Sequence, residues 1–279
     1  MPDKLHLIAP AAATAPPQLR GLLSAMVPTG RIECDEDNPS TPFELALARA
    51  NGLPGEPGHI PWAAFETGTV GTPCAWVKLC HWQVGADNVT LSPPQDLALD
   101  DATSQALLQA MAPYFQEDGI ALAPYGALPG VWLATGEPLR RLRTVSLDRL
   151  AGQRLTPALL DAAAGLRRLQ NEMQMLLYTH PANEARQQLG LQPVNSFWLS
   201  GAGVLEQPLA PAAHVRVEPA LTAASCAELR ALLRTGGDAR LTLYGDKAAQ
   251  EFAAAPAGLW PKFKGVFGLQ PAWDGHGQL

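Results

Sequence analysis

The chain has 279 residues, 47% of them hydrophobic and 16% charged, and carries a formal net charge of −6. A chain of this kind buries a sizeable core and is not extensively disordered. Its acidic balance argues against a nucleic-acid partner, because phosphate neutralisation calls for a basic stripe, and no apolar run approaches the roughly 20 residues of a membrane-spanning helix.

The N-terminus has Lys4 but no apolar region followed by a small-residue cleavage site, so no signal peptide is expected. Cys34, Cys74, Cys80 and Cys226 are scattered without CxxC spacing. They read as reduced, mostly buried thiols of a cytoplasmic protein, not as a disulfide frame or a zinc site.

Residues 5–9 (LHLIA) form a plausible first strand, and residues 18–26 a helix. Residues 30–42 read as a loop with an acidic cluster of Glu33, Asp35, Glu36 and Asp37. Ser40 or Thr41 is placed to cap the next helix, with Pro42 at its first position and Asn51-Gly52 at its end. The run 74–84 (CAWVKLCHWQV) reads as a long strand. From residue 86 the pattern becomes strand, helix, strand, strand: 89–91, a helix capped by Asp100 or Asp101, then a hairpin of 120–125 and 131–135. This unit of about 86–154 reads as a small lobe inserted into a body made of 1–85 and 155–279, with hinges near 86 and 136–154. Strand 215–217, helix 223–233 and strand 240–244 then imply a sheet built from both ends of the chain.

The polar chemistry concentrates between residues 166 and 203. Leu166, Leu169, Met173, Leu176 and Leu177 share one face of an amphipathic helix. Thr179-His180-Pro181 breaks it, and Pro181 suits the first turn of a second helix. Asn183 and Arg186 then project from neighbouring points of that helix. Together they could hold a carboxylate or phosphate, with Arg186 offering a bidentate fork; alternatively Arg186 pairs with Glu172 or Glu184 and Asn183 serves a turn. Gly190 ends the helix, Asn195 enters a strand, and Ser200-Gly201-Ala202-Gly203 reads as a glycine-rich loop after it. Such loops lie where open α/β sheets bind ligands. His81, Gln83 and Asp87 at the end of the long strand either face the same cleft or fix a loop by hydrogen bonds. Cys80 and His81, adjacent in a strand, point to opposite faces and make a poor catalytic pair.

The segment HPANEARQQLGLQPVNSFWLSGAG resembles the archaeal-type cofactor-independent phosphoglycerate mutases. His180, Pro181, Asn183, Arg186, Gly190, Pro193, Asn195, Gly201 and Gly203 match that family's pattern in type and order. The start Ser40-Thr41-Pro42-Phe43-Glu44-Leu45 is similar to its early Thr-Pro segment, and the inserted lobe sits where the family carries a cap. The resemblance implies an α/β fold: a mixed sheet flanked by helices, an alkaline-phosphatase-like body, with a small inserted α+β cap lobe. It also implies a pair of divalent metals held by Asp and His and a transiently phosphorylated Ser. Ile8-Ala9-Pro10 offers no acid where the family places a metal ligand, however, and neither Asp246 nor Asp274-Gly275-His276 has the family context.

The expectation is therefore a mutase-like protein without turnover, a pseudoenzyme binding a small phosphorylated or carboxylate ligand, or a protein partner, in a regulatory role. His81, Asp87, His180, Asn183, Arg186, Asn195, Gly201 and Gly203 are its candidate ligand-binding residues, and no cofactor is recognised. The alternative is an active metal-dependent mutase or phosphatase with rearranged Mn or Zn ligands.

Overall fold

Two apolar runs from opposite ends of the chain, KLHLIAP and DARLTLY, pair in parallel and found the first of two sheets. The structure is a computed structural model that describes residues 3–11, 15–84, 89–150 and 166–255. In chain order its elements are β1 (Lys4–Pro10), α1 (Gln18–Leu23), β2 (Met26–Glu33), α2 (Pro42–Ala50), α3 (Trp62–Thr67), β3 (Cys74–Val84), β4 (Val89–Ser92) and α4 (Asp101–Glu117). There follow β5 (Ala121–Pro124), β6 (Val131–Thr135), α5 (Leu147–Leu150), α6 (Arg167–Tyr178), α7 (Pro181–Gln188) and β7 (Ser196–Gly203). The last are β8 (Val215–Val217), α8 (Ala223–Arg234), β9 (Asp238–Tyr244) and β10 (Ala248–Ala254). The fold is mixed α/β, as the sequence led us to expect. Among the described residues no helix is long and apolar enough to cross a membrane.

The chain divides into two compact units, Met1–Glu36 with Thr41–Leu53 and Pro211–Leu279, and Asp37–Ser40 with Pro54–Ala210. In the first unit the strand order is β2-β10-β9-β1-β8, with β1 parallel to β8 and β9 and β10 antiparallel to its two neighbours. Alternation sends Leu5, Leu7, Ala239, Leu241 and Leu243 to one face, where Leu19 and Leu22 of α1 and Cys226, Leu229 and Leu232 of α8 cover them. Helix α2 begins with a reciprocal capping box: Thr41 Oγ1 accepts from Glu44 N at 3.2 Å, and Glu44 Oε2 accepts from Thr41 N at 3.0 Å. Its Phe43 ring meets Tyr244 at 4.8 Å.

β2 takes residues 30–33 out of the loop expected at 30–42, and β10 was not foreseen. β2 owes its strand state to pairing with β10, which β9 flanks on the other side: Pro28 and Gly30 spoil any local period, and Pro28 is tolerated because β2 lies at the sheet edge.

In the second unit β3 is the centre of an antiparallel sheet. β7 lies along one edge, β6 and β4 pair with successive parts of β3, and β5 lies beyond β6. Val77, Leu79, Trp132, Phe197 and Leu199 form a core with Leu107, Met111 and Phe115 of α4 and Leu169, Met173 and Leu177 of α6. The buried stripe anticipated on α6 is thus present. On the opposite face Cys80 and Trp198 lie under Val145 and Leu150.

The expected lobe at 86–154 does not coincide with either unit: β4, β5 and β6 belong to the same sheet as β3 and β7, and the units divide at 53/54 and 210/211. The reason is the length of β3, whose eleven residues are paired along their whole extent by β6, β4 and β7. The hinge expected at 86 lies outside the described residues, as do 151–165 and the segment after Ala255.

Candidate functional site

The corner between α6 and α7 forms as its residues dictate. Pro181 cannot continue α6 and opens α7, while His180 stays extended (φ −75°, ψ 131°) as its N-cap. His180 Nδ1 accepts from Ala182 N at 3.2 Å, which satisfies one of the amides a helix start leaves open. From α7 both Asn183 and Arg186 turn inward and are buried, at 3% and 4% exposure.

Their polar atoms meet the protein's own main chain. Asn183 Nδ2 donates to Leu177 O and to Val194 O, each at 2.7 Å, and Asn183 Oδ1 accepts from Val194 N at 2.8 Å. Arg186 Nε donates to Gln192 O at 2.9 Å, and Nη2 donates to Leu97 O at 2.5 Å. His81, on the neighbouring β3, donates from Nδ1 to Pro193 O at 2.8 Å, since a carbonyl only accepts. Two side chains of α7 and one of β3 thus take three successive carbonyls, those of Gln192, Pro193 and Val194.

Asn195 completes the arrangement. Its Oδ1 accepts from Trp82 N at 2.7 Å and its Nδ2 donates to Trp82 O at 2.8 Å, while its own N donates to Cys80 O at 3.3 Å. The side-chain amide imitates the next rung of the β3–β7 ladder, which ends at Cys80 and Ser196. Buried main-chain groups left without partners would be costly, so these amides and the guanidinium hold the 192–195 segment in one path onto β7.

Of the expected site residues, the structure brings His81, Asn183, Arg186 and Asn195 together around that segment, with His180 at the mouth of the same helix. Asp87 lies outside the described residues. Arg186 pairs with neither Glu172 nor Glu184: Glu172 accepts from Arg168 at 2.6 Å. Gly201 and Gly203 are not a loop, because β7 runs through Gly203 and is buried throughout. Gly201 has φ +63° and its absent Cβ would lie 2.9 Å from Trp62 Cβ; at Gly203 the corresponding contact is Pro61 Cβ at 2.8 Å. The glycines let α3 approach the strand, a packing reason that a GxG string alone does not separate from ligand binding.

Electrostatics follow burial. Desolvation lowers the Arg186 guanidinium from its usual value, partly offset by Asp100. Burial pushes the Cys80 thiol up, and Cys80 Sγ accepts from Trp82 Nε1 at 3.1 Å, so it is a poor nucleophile. All four cysteines are free and buried, as anticipated.

The metal pair implied by the resemblance does not fit the described residues. Among them no group of three or more His, Cys, Asp or Glu side chains is placed to hold an ion. Ile8 and Ala9 are buried apolar strand residues, and Asp246 is exposed beyond β9. Asp274 and His276 lie outside the described residues.

No family model matches this chain, and no curated protein does. Among solved structures it is similar to the cofactor-independent phosphoglycerate mutase from Thermoplasma acidophilum, at 12% identity over 91% of this chain and 90% of that one, with a TM-score of 0.34. It is also similar to the PH0037 protein from Pyrococcus horikoshii, at 13% identity over 72% of this chain and 51% of that one, with a TM-score of 0.33. The likeness is distant and confined to fold; scores this low carry nothing about the site.

Proposed function

We propose that this chain is a phosphoglycerate-mutase-like binding protein without turnover, which acts in the cytoplasm by recognising a partner in a regulatory role. One observation supports the reading above the others. Asn183, Arg186 and Asn195, which match the mutase pattern, direct hydrogen-bonding groups at main-chain atoms of Leu97, Leu177, Gln192, Val194 and Trp82. An N–H already donated to a buried carbonyl is not free to polarise a substrate or hold a phosphoryl oxygen. The motif therefore preserves architecture, and recognition belongs to surfaces elsewhere on the chain.

The small-anion form of this reading puts a phosphorylated or carboxylate ligand at the expected set His81, Asp87, His180, Asn183, Arg186, Asn195, Gly201 and Gly203, with Arg186 reaching it through guanidinium donors that Leu97 O and Gln192 O leave over. Purified protein assayed for mutase and phosphatase turnover, with and without added Mn or Zn, tests the reading. We expect no turnover above background. Stoichiometric bound metal together with turnover overturns the reading in favour of a phosphotransfer enzyme. A thermal shift with phosphorylated three-carbon acids that is lost in Arg186→Lys favours the small-anion form.

A further inference from the structure

The loop joining β5 to β6 stands over the first turns of α4 and leaves a groove of about 430 Å³ between them, a size ordinary for a recognition site. One wall is apolar and partly open: Tyr125 is 39% exposed and Leu128 45%, with Pro124 and Pro129 beside them. The other wall is polar, formed by Asp101 and Gln105 one helical turn apart and both exposed.

The groove is preformed. Ser104 Oγ accepts from Gly130 N at 2.9 Å and from Trp132 Nε1 at 3.1 Å, which ties the hairpin to the helix. Tyr125 is backed by Trp76, ring centroids 4.7 Å apart, so its outer face is held in place. Asp100 N-caps α4 through Thr103 N at 2.7 Å, which leaves Asp101 as the carboxylate that lines the groove. Among the described residues no Lys or Arg lines it.

We propose that this groove binds an extended, proline-containing peptide segment of a partner protein, with an apolar residue seated between Tyr125 and Leu128 and a Lys or Arg reaching Asp101. Aromatic and proline side chains pack well against a polyproline II ridge, which enters binding with little entropy left to lose. The carboxylate with no cation beside it selects a basic residue and fixes the direction of the peptide. The proposal rests on the binding-protein reading and names its partner's chemistry, yet the two fail separately: that reading falls with turnover, this one with the peptide.

The test uses the full chain and the probe peptide acetyl-Pro-Pro-Leu-Pro-Arg-amide, with a second probe carrying Glu in place of Arg. Binding is read by Trp fluorescence and by amide chemical shifts. The expected result is saturable binding of the Arg probe below about 1 mM, with shifts confined to 101–105 and 124–131 and binding weakened by added salt. Asp101→Asn should weaken binding roughly fivefold to tenfold, Tyr125→Ala should abolish it, and the Glu probe should not bind. Circular dichroism of both variants confirms that they are folded. No binding of the Arg probe at about 1 mM, or binding indifferent to both substitutions, overturns the proposal.

Discussion

Replacing Asn183 by Ala distinguishes an architectural amide from a ligand contact. The side chain is 3% exposed and serves three main-chain atoms: Leu177 O, Val194 O and Val194 N. Leu177 O keeps a second donor, His180 N at 3.2 Å. Among the described residues Val194 N and O have no other partner, so the substitution strands one buried donor and one buried acceptor. Each orphan costs about 1–3 kcal/mol, which puts the loss near 4 kcal/mol, or about 2 kcal/mol if one water enters the vacated space. Asn183→Asp keeps the volume but, when ionised, turns a carboxylate oxygen toward two carbonyls. Its proton is then favoured in the folded state, so that variant should gain stability as the pH falls toward about 4. The assay is urea denaturation followed by Trp fluorescence: Trp82 and Trp198, ring centroids 5.7 Å apart, sit beside the segment under test. A loss below about 0.5 kcal/mol for Asn183→Ala, the range of an ordinary surface change, would refute the reasoning.

Asn195→Ala should cost about 1–2 kcal/mol and speed hydrogen exchange at Trp82 N, while Asn195→Asp should restore only the acceptor half of the pair. Gly201→Ala combines a left-handed φ with a Cβ too close to Trp62, and should lower stability by about 2–4 kcal/mol in the same urea assay. Burial lowers the His6 pKa, and His6 Nε2 lies 2.8 Å from Thr242 Oγ1. Unfolded chains therefore bind more protons than folded ones below the ordinary value of 6.5, and stability falls as pH drops through it until the lowered folded value is reached. His6→Gln should flatten the fall of the stability curve as pH drops through 6.5, and an unchanged slope would count against this account.

The sequence by itself determined the local elements with strong periodicity or punctuation. The eleven-residue β3, the α6 stripe of Leu169, Met173 and Leu177, the helix start at Ser40-Thr41-Pro42 and the His180-Pro181 corner follow from apolar spacing, from proline geometry and from short-range capping. It also marked His81, Asn183, Arg186 and Asn195, among eight candidate ligand-binding residues, and these four lie around the 192–195 segment. Only the tertiary structure decided what they meet. A side-chain amide or guanidinium has the same donors whether it faces a ligand or a carbonyl, and the carbonyls of Leu97, Gln192, Pro193 and Val194 carry no sequence signature. The same holds for β2 and β10, strands by virtue of their sheet partners, and for Gly201 and Gly203, where the approach of α3 gives the reason for glycine. The groove between α4 and the β5–β6 loop was invisible for that reason too: Asp101 and Tyr125 become neighbours only when Ser104 fastens the hairpin to the helix.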